Sequence, residues 1–316
     1  MYKNLKITSS PHLKARATTH RIMLDVCIAL LPAGAVGVWF FGSIALALII
    51  SCVSSAVIFE YVYQRATHST ITIGDLSAVV TGLLVAYNLP ANAPLWIGVF
   101  GSALAIILIK QIFGGIGHNF MNPAMAARVI LFVSFSTIMS SYPLPNGGVW
   151  KQGFDTVASA TPLSMGVQGV RIQDLLTGNI PGVLGETSKI AILIGGLYLL
   201  IRKVINWRIP VVFIGTVFIC YTISNNVQTA LFHILSGGLL LGAVFMATDY
   251  VTSPITPFGK VLMGFGCGII LFLLRQFSVY PEGCSFAILF MNVVTPLIDK
   301  ATFHYHNRKE VPYAKT

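Results

Sequence analysis

Residues 22–63 read IMLDVCIALLPAGAVGVWFFGSIALALIISCVSSAVIFEYVY, and across that whole stretch the only charged side chains are Asp25 and Glu60. A helix rises about 1.5 Å per residue and the hydrocarbon core of a bilayer is about 30 Å thick, so one crossing uses about 20 apolar residues. The stretch is about twice that length and reads as two spans, 22–41 and 43–63. The whole chain shares this bias. Of 316 residues, 55% are hydrophobic and 9% charged, against about 25% charged in a soluble domain. The mean hydropathy is +0.79. So little polar surface cannot cover a globule in water, and lipid is the solvent this composition fits.

Outward from that stretch, further apolar runs fall at 75–90, 94–113 and 122–139. A polar interval follows, then runs at 188–205, 209–224, 230–247, 260–277 and 283–299. The expected fold is an all-α integral membrane protein of about ten spans in two groups of five. Its segments are an N-terminal stretch 1–21, a first membrane half 22–139, a polar loop 140–187, a second half 188–299 and a tail 300–316. The N-terminal stretch is polar and too long for the basic end of a signal peptide, and the run after it is long enough to span.

The net charge of +10 would suit nucleic acid if the basic residues formed a patch. They sit instead in short stretches between apolar runs, and no nucleic-acid partner is expected. With the N-terminus in the cytoplasm, alternation puts most of the 20 lysines and arginines inside, as the positive-inside rule requires. Both termini are then cytoplasmic and the 140–187 loop is extracytoplasmic. Five spans per half inverts the second half relative to the first. Lys110-Gln111-Ile112-Phe113 and Arg275-Gln276-Phe277-Ser278 close the fourth and ninth runs, and Gly82-Leu83-Leu84 and Gly238-Leu239-Leu240 sit in the third and eighth. An inverted repeat is expected on that ground.

Two interruptions stand out, Gly114 to Pro123 and Ala247 to Pro257. Irregular backbone at membrane depth is tolerated where it faces protein or a cavity, and broken helices of this kind hold ligands in transporters. Asn122 before Pro123 is a good helix cap. Asp249 and Thr252 suit the same role. Asp25, an acid inside a span, is expensive unless it is paired or functional; Arg21 one turn earlier is a local partner, and a low-ranked part in an ion path is the other reading. Cys27, Cys52, Cys220, Cys267 and Cys284 form no CxxC pair, the seven histidines have no ligand spacing, and no metal site is expected.

The loop carries Asp155-Thr156-Val157-Ala158-Ser159-Ala160-Thr161-Pro162. Small side chains admit close approach to the backbone, and Pro162 biases Thr161 toward an extended conformation that presents its hydroxyl. Read for chemistry alone, the segment also passes as an ordinary loop.

This segment resembles the flavinylation motif of the D subunit of Rnf electron-transport complexes and of the related B subunit of the sodium-pumping NADH:quinone reductase. In that family a flavin transferase moves FMN from FAD onto the threonine of Asp-x-x-(Ser/Thr)-small-Ala-Thr through a phosphoester. Asp155, Ala160 and Thr161 match; Ala158 replaces the usual hydroxyl residue, with Ser159 beside it. Ser10-Pro11-His12, Gly117 to Ala124 and Ala247 to Pro254 are similar to three further family motifs, in order along the chain. The short N-terminal stretch is similar to the Rnf protein rather than to the quinone-reductase one.

The resemblance implies a subunit of an ion-translocating ferredoxin:NAD⁺ oxidoreductase, a translocase not catalytic alone, in the plasma (inner) membrane of a bacterium or archaeon. It implies covalent FMN on Thr161, with Asp155, Ser159 and Ala160 completing the motif. It also implies a non-covalent riboflavin near Asn119, Asn122 and Asp249. The implied partners are the other Rnf subunits (A, B, C, E and G), the flavin transferase and membrane lipid, and the coupled ion is Na⁺ or H⁺. A non-redox transporter or channel with inverted repeats is the rival reading.

Overall fold

A computed structural model describes residues 18–145, 161–166, 171–278 and 282–310. Among them the chain is helical, and the only extended pairing is an isolated bridge between Pro90 and Val183. The helices are α1 (Thr19–Ala66), α2 (Ser77–Tyr87), α3 (Leu95–Gln111), α4 (Pro123–Ser134), α5 (Ser136–Met139), α6 (Pro162–Met165), α7 (Ile172–Thr177), α8 (Lys189–Ile201), α9 (Arg208–Ser224), α10 (Val227–Leu235), α11 (Leu239–Met246), α12 (Pro257–Phe277) and α13 (Cys284–Glu310).

The opening stretch resolves at Gly42. Its φ of 73° and ψ of −154° break α1 into two arms, a conformation open to glycine and costly for other residues. The contacts of α2 fix how the arms run. His20 reaches the Gly74 carbonyl at 2.7 Å, and Gln64 donates to Thr72 at 2.8 Å. Tyr87, at the other end of α2, donates to the Leu30 carbonyl at 2.9 Å, and Gly82 in the middle lies against the Cys52 carbonyl. Residues 20 and 64 therefore share one level and residues 30 and 52 lie deeper, so the two arms are antiparallel.

Each of the ten apolar runs contains a helix. Among the described helices Thr19–Ala66, Pro257–Phe277 and Cys284–Phe303 are long and apolar enough to cross a membrane, and α10 with α11 forms a fourth candidate bent by 68°. The others are shorter because the runs are interrupted. The run at 122–139 splits at Phe135 into α4 and α5, and residues 104–111 and 242–246 wind as π-helix, the bulged geometry that often accompanies function.

Close helix approach relies on small residues, as in membrane bundles generally. Gly264 and Gly268 of α12 lie against Ile209 and Thr216 of α9, and Gly98 of α3 lies against Leu48 and Cys52 of α1. The end of the polar interval turns into the bundle. Leu184 donates to the Leu89 carbonyl at 3.0 Å, and Glu186, Thr187 and Ser188 are buried.

Candidate functional site

Two buried polar regions lie between the halves. The first is built where the interruptions meet. Asn122 caps α4: its Oδ1 accepts from the backbone N–H groups of Ala124 at 3.1 Å and Met125 at 3.2 Å. Its Nδ2 donates to the Met246 carbonyl at the end of α11, at 3.3 Å. With the Asn292 amide oriented to satisfy both its groups, its oxygen accepts from the Asn122 backbone N–H at 3.1 Å. Asn122 is therefore both cap and cross-link, and its side chain ties the break of one half to the break of the other.

Beside it lies a cavity of about 230 Å³, and all three residues expected there line it: Asn119, Asn122 and Asp249. Asn119 donates to the Met121 carbonyl at 3.1 Å and faces the Asp249 carboxylate. Thr252 donates to Asp249 at 3.2 Å. Ser77 and Lys110 complete the polar wall, and Ile22, Met23, Val80 and Leu84 form the apolar one. Lys110 is buried; it donates to Glu60 at 2.7 Å and to Ser77 Oγ at 2.6 Å. Glu60, near the end of the 43–63 run, is fully buried and neutralised by a lysine 50 positions away.

The second region lies farther along α4, at the Asn88 end of α2. Arg128 of α4 donates to Asn88 at 2.8 Å, to Glu186 at 3.0 Å and to Glu282 at 2.8 Å. Tyr142 donates to the same Glu282 oxygen at 3.0 Å. Arg128 is thus the centre of an ionic cluster; nothing in its own run signals that, since both carboxylates come from distant loops. Lys189 donates to the carbonyls of Glu186 and Gly237, and Arg275 to those of His233 and Ser236. These two cations staple the break between α10 and α11, whose C-terminal carbonyls have no helical partners.

Thr161 lies at this end. It is buried and stands at the N-cap position of the short α6, with the extended conformation expected before Pro162 (φ −65°, ψ 156°). Leu163, two residues on, packs against the cluster of Leu175, Ile180 and Phe232 and lies beside Gly237 in the break. The threonine is therefore held against the broken helix. Asp155, Ser159 and Ala160 lie outside the described residues.

Asp25 takes a different partner from the one expected. The cation on its carboxylate is not Arg21 one turn earlier but Arg202 beyond α8, at 3.2 Å, and Tyr198 donates to it at 2.8 Å. The carboxylate faces across to α8, away from its own helix's preceding turn.

Apolar helices, glycine-mediated contacts and broken segments meeting over buried polar groups define a multi-pass helical membrane protein built around interior sites. The chain belongs to the NQR2, RnfD, RnfE family, whose model matches residues 6–306. It is 48% identical over 309 residues to the D subunit of the Na⁺-translocating ferredoxin:NAD⁺ oxidoreductase complex of Acetobacterium woodii, covering 95% of this chain and 94% of that one. It is 41% identical over 314 residues to the D subunit of the proton-translocating ferredoxin:NAD⁺ oxidoreductase complex of Clostridium ljungdahlii, covering 94% of each. It is 39% identical over 324 residues to the D subunit of an ion-translocating oxidoreductase complex of Stutzerimonas stutzeri, covering 90% and 91%.

Proposed function

We propose that this chain is the D subunit of an ion-translocating ferredoxin:NAD⁺ oxidoreductase complex, a membrane translocase that relays electrons through bound flavin. The observation that carries this reading is near end-to-end similarity to D subunits of that complex, 48% identical over 95% of the chain in the Acetobacterium woodii case. In this reading about ten spans form two inverted five-helix halves in the plasma (inner) membrane. Both termini are cytoplasmic and the Thr161 loop is extracytoplasmic. The A, B, C, E and G subunits are the partners in the complex, electrons pass from reduced ferredoxin toward NAD⁺, and Na⁺ or H⁺ is exported.

FMN is joined to Thr161 by a flavin transferase acting on FAD. The threonine oxygen forms a bond to the FMN-side phosphorus, the anhydride bond breaks, AMP leaves and the hydroxyl proton is released. Asp155, Ser159 and Ala160 present the segment to that enzyme. The flavin supplies one-electron chemistry, while the chain orients it and sets its surroundings. In this reading a second, non-covalent flavin, riboflavin, binds in the cavity beside Asn122. A polar wall of Lys110, Ser77, Asn119 and Asp249 offers donors and acceptors along one edge, and the apolar wall accepts a flat ring. A ligand site of this kind is concave, mostly apolar and fixed by a few polar groups.

The rival, a transporter without redox chemistry, predicts no flavin. Phosphoester-linked FMN survives denaturing electrophoresis. The band should fluoresce when the chain is produced with its flavin transferase, and Thr161→Ala should abolish the signal. A dark wild-type band under those conditions favours the transporter.

A further inference from the structure

We propose that the buried cation excess formed by Lys189 and Arg275 beneath the Thr161 segment stabilises the reduced, negatively charged form of the flavin carried there; this rests on the covalent-FMN reading above.

The charges at this end do not balance. Arg128 is matched by Glu186 and Glu282. Lys189 and Arg275 add two more cations, and among the described residues neither stands in a salt bridge; their hydrogen-bond partners are backbone carbonyls. Among the described residues of this cluster, three cations therefore share two carboxylates. Lys189 is fully buried and Arg275 is nine-tenths buried. A buried charge without an opposite one is costly. Lys189 also occupies the first turn of α8, capped by Ser188, where the helix dipole disfavours a cation. Two adverse placements of one ammonium call for an anion that the described residues do not provide.

The geometry shows where that anion belongs. Gly237, at φ +64°, receives the Lys189 hydrogen bond on its carbonyl, and a methyl group built on it would lie 3.1 Å from the Arg275 guanidinium and 2.9 Å from the Leu163 side chain. Leu163 is two residues from Thr161. One glycine thus separates both cations from the segment that carries the proposed flavin. A phosphodiester on Thr161 brings one negative charge to this spot. Each electron received from the ferredoxin side adds another until it passes on toward NAD⁺. Charges buried this deeply are little screened by salt, so the cations favour the reduced state and raise the potential at which the flavin accepts an electron.

The test uses the full chain, produced with its flavin transferase and purified in detergent, with the flavin titrated redox-wise at fixed pH by absorbance. Thr161→Ala, titrated alongside, records any non-covalent flavin so that its contribution can be subtracted. Lys189→Met should move the covalent flavin's midpoint to a more negative potential, and Lys189→Arg should restore it. Glu186→Gln removes a carboxylate yet keeps an oxygen for Arg128, and should move the midpoint the opposite way. An unchanged midpoint in Lys189→Met, with the fluorescent band intact, overturns the proposal. If Lys189→Met is not recovered as a monodisperse protein, Glu186→Gln decides alone, and the absence of a positive shift overturns it. A wild-type chain without covalent flavin defeats the underlying reading instead, and is distinguished by its dark band.

Discussion

The two buried polar regions differ in how they use space and charge. Around Asn122 one lysine meets one glutamate and a cavity of about 230 Å³ remains open. Around Arg128 the charges fill the interior, and the space beside Arg128 and Glu282 is about 10 Å³, close to the least that holds one water molecule. The first region is hollow: its lysine is matched by Glu60, and Asp249 lines the cavity with neutral partners, an arrangement suited to receiving a molecule. The second is tightly filled beside Arg128 and carries, among the described residues, a surplus of cations, suited to acting by its field on something held beside it. The same helix serves both, since α4 begins at the capped Asn122 and brings Arg128 to the other cluster less than two turns later.

That contrast can be broken experimentally. The largest expected effect is total: Thr161→Ala removes all covalent flavin, read as loss of in-gel fluorescence, with the fold kept. Next comes the balanced pair. Lys110→Met leaves Glu60 buried and unmatched, and breaking such a pair costs about 3–5 kcal/mol. Thermal unfolding in detergent should show a large drop, and the double variant Lys110→Met with Glu60→Leu should recover most of it. In the unflavinylated chain Lys189→Met should cost much less than Lys110→Met, since it strands no carboxylate. Equal losses at the two lysines would erase the distinction between the regions.

Asn122→Ala should cost about 1–2 kcal/mol, from a lost helix cap and a lost buried hydrogen bond. It should also weaken retention of non-covalent flavin, measured by extraction and absorbance. The smallest effect belongs to Asp25→Asn. Its partner Arg202 is 54% exposed, and a solvated pair is worth about 0–1 kcal/mol. A loss above that range would mean that Asp25 does more than latch α1 to α8.

What the sequence made legible follows from its local grammar. The apolar runs announce an all-helical membrane fold because composition decides what lipid accepts. Asn122 before Pro123 announces a cap, and Thr161 before Pro162 announces extended backbone, because each constraint acts between neighbours. The ionic contacts escaped because they are long-range. Glu60 meets a lysine 50 residues away, Arg128 meets glutamates 58 and 154 away, and Asp25 meets Arg202 at a separation of 177. A turn-by-turn reading pairs Asp25 with Arg21, whereas helix packing turns its carboxylate toward α8. Hydropathy overestimates the span length where the break at Phe135 divides a run that it leaves whole.

The most direct test is the mass of the peptide containing Thr161, taken from the chain in its native assembled complex. The account predicts that peptide with one FMN attached through phosphate. The same peptide recovered quantitatively without modification would contradict it.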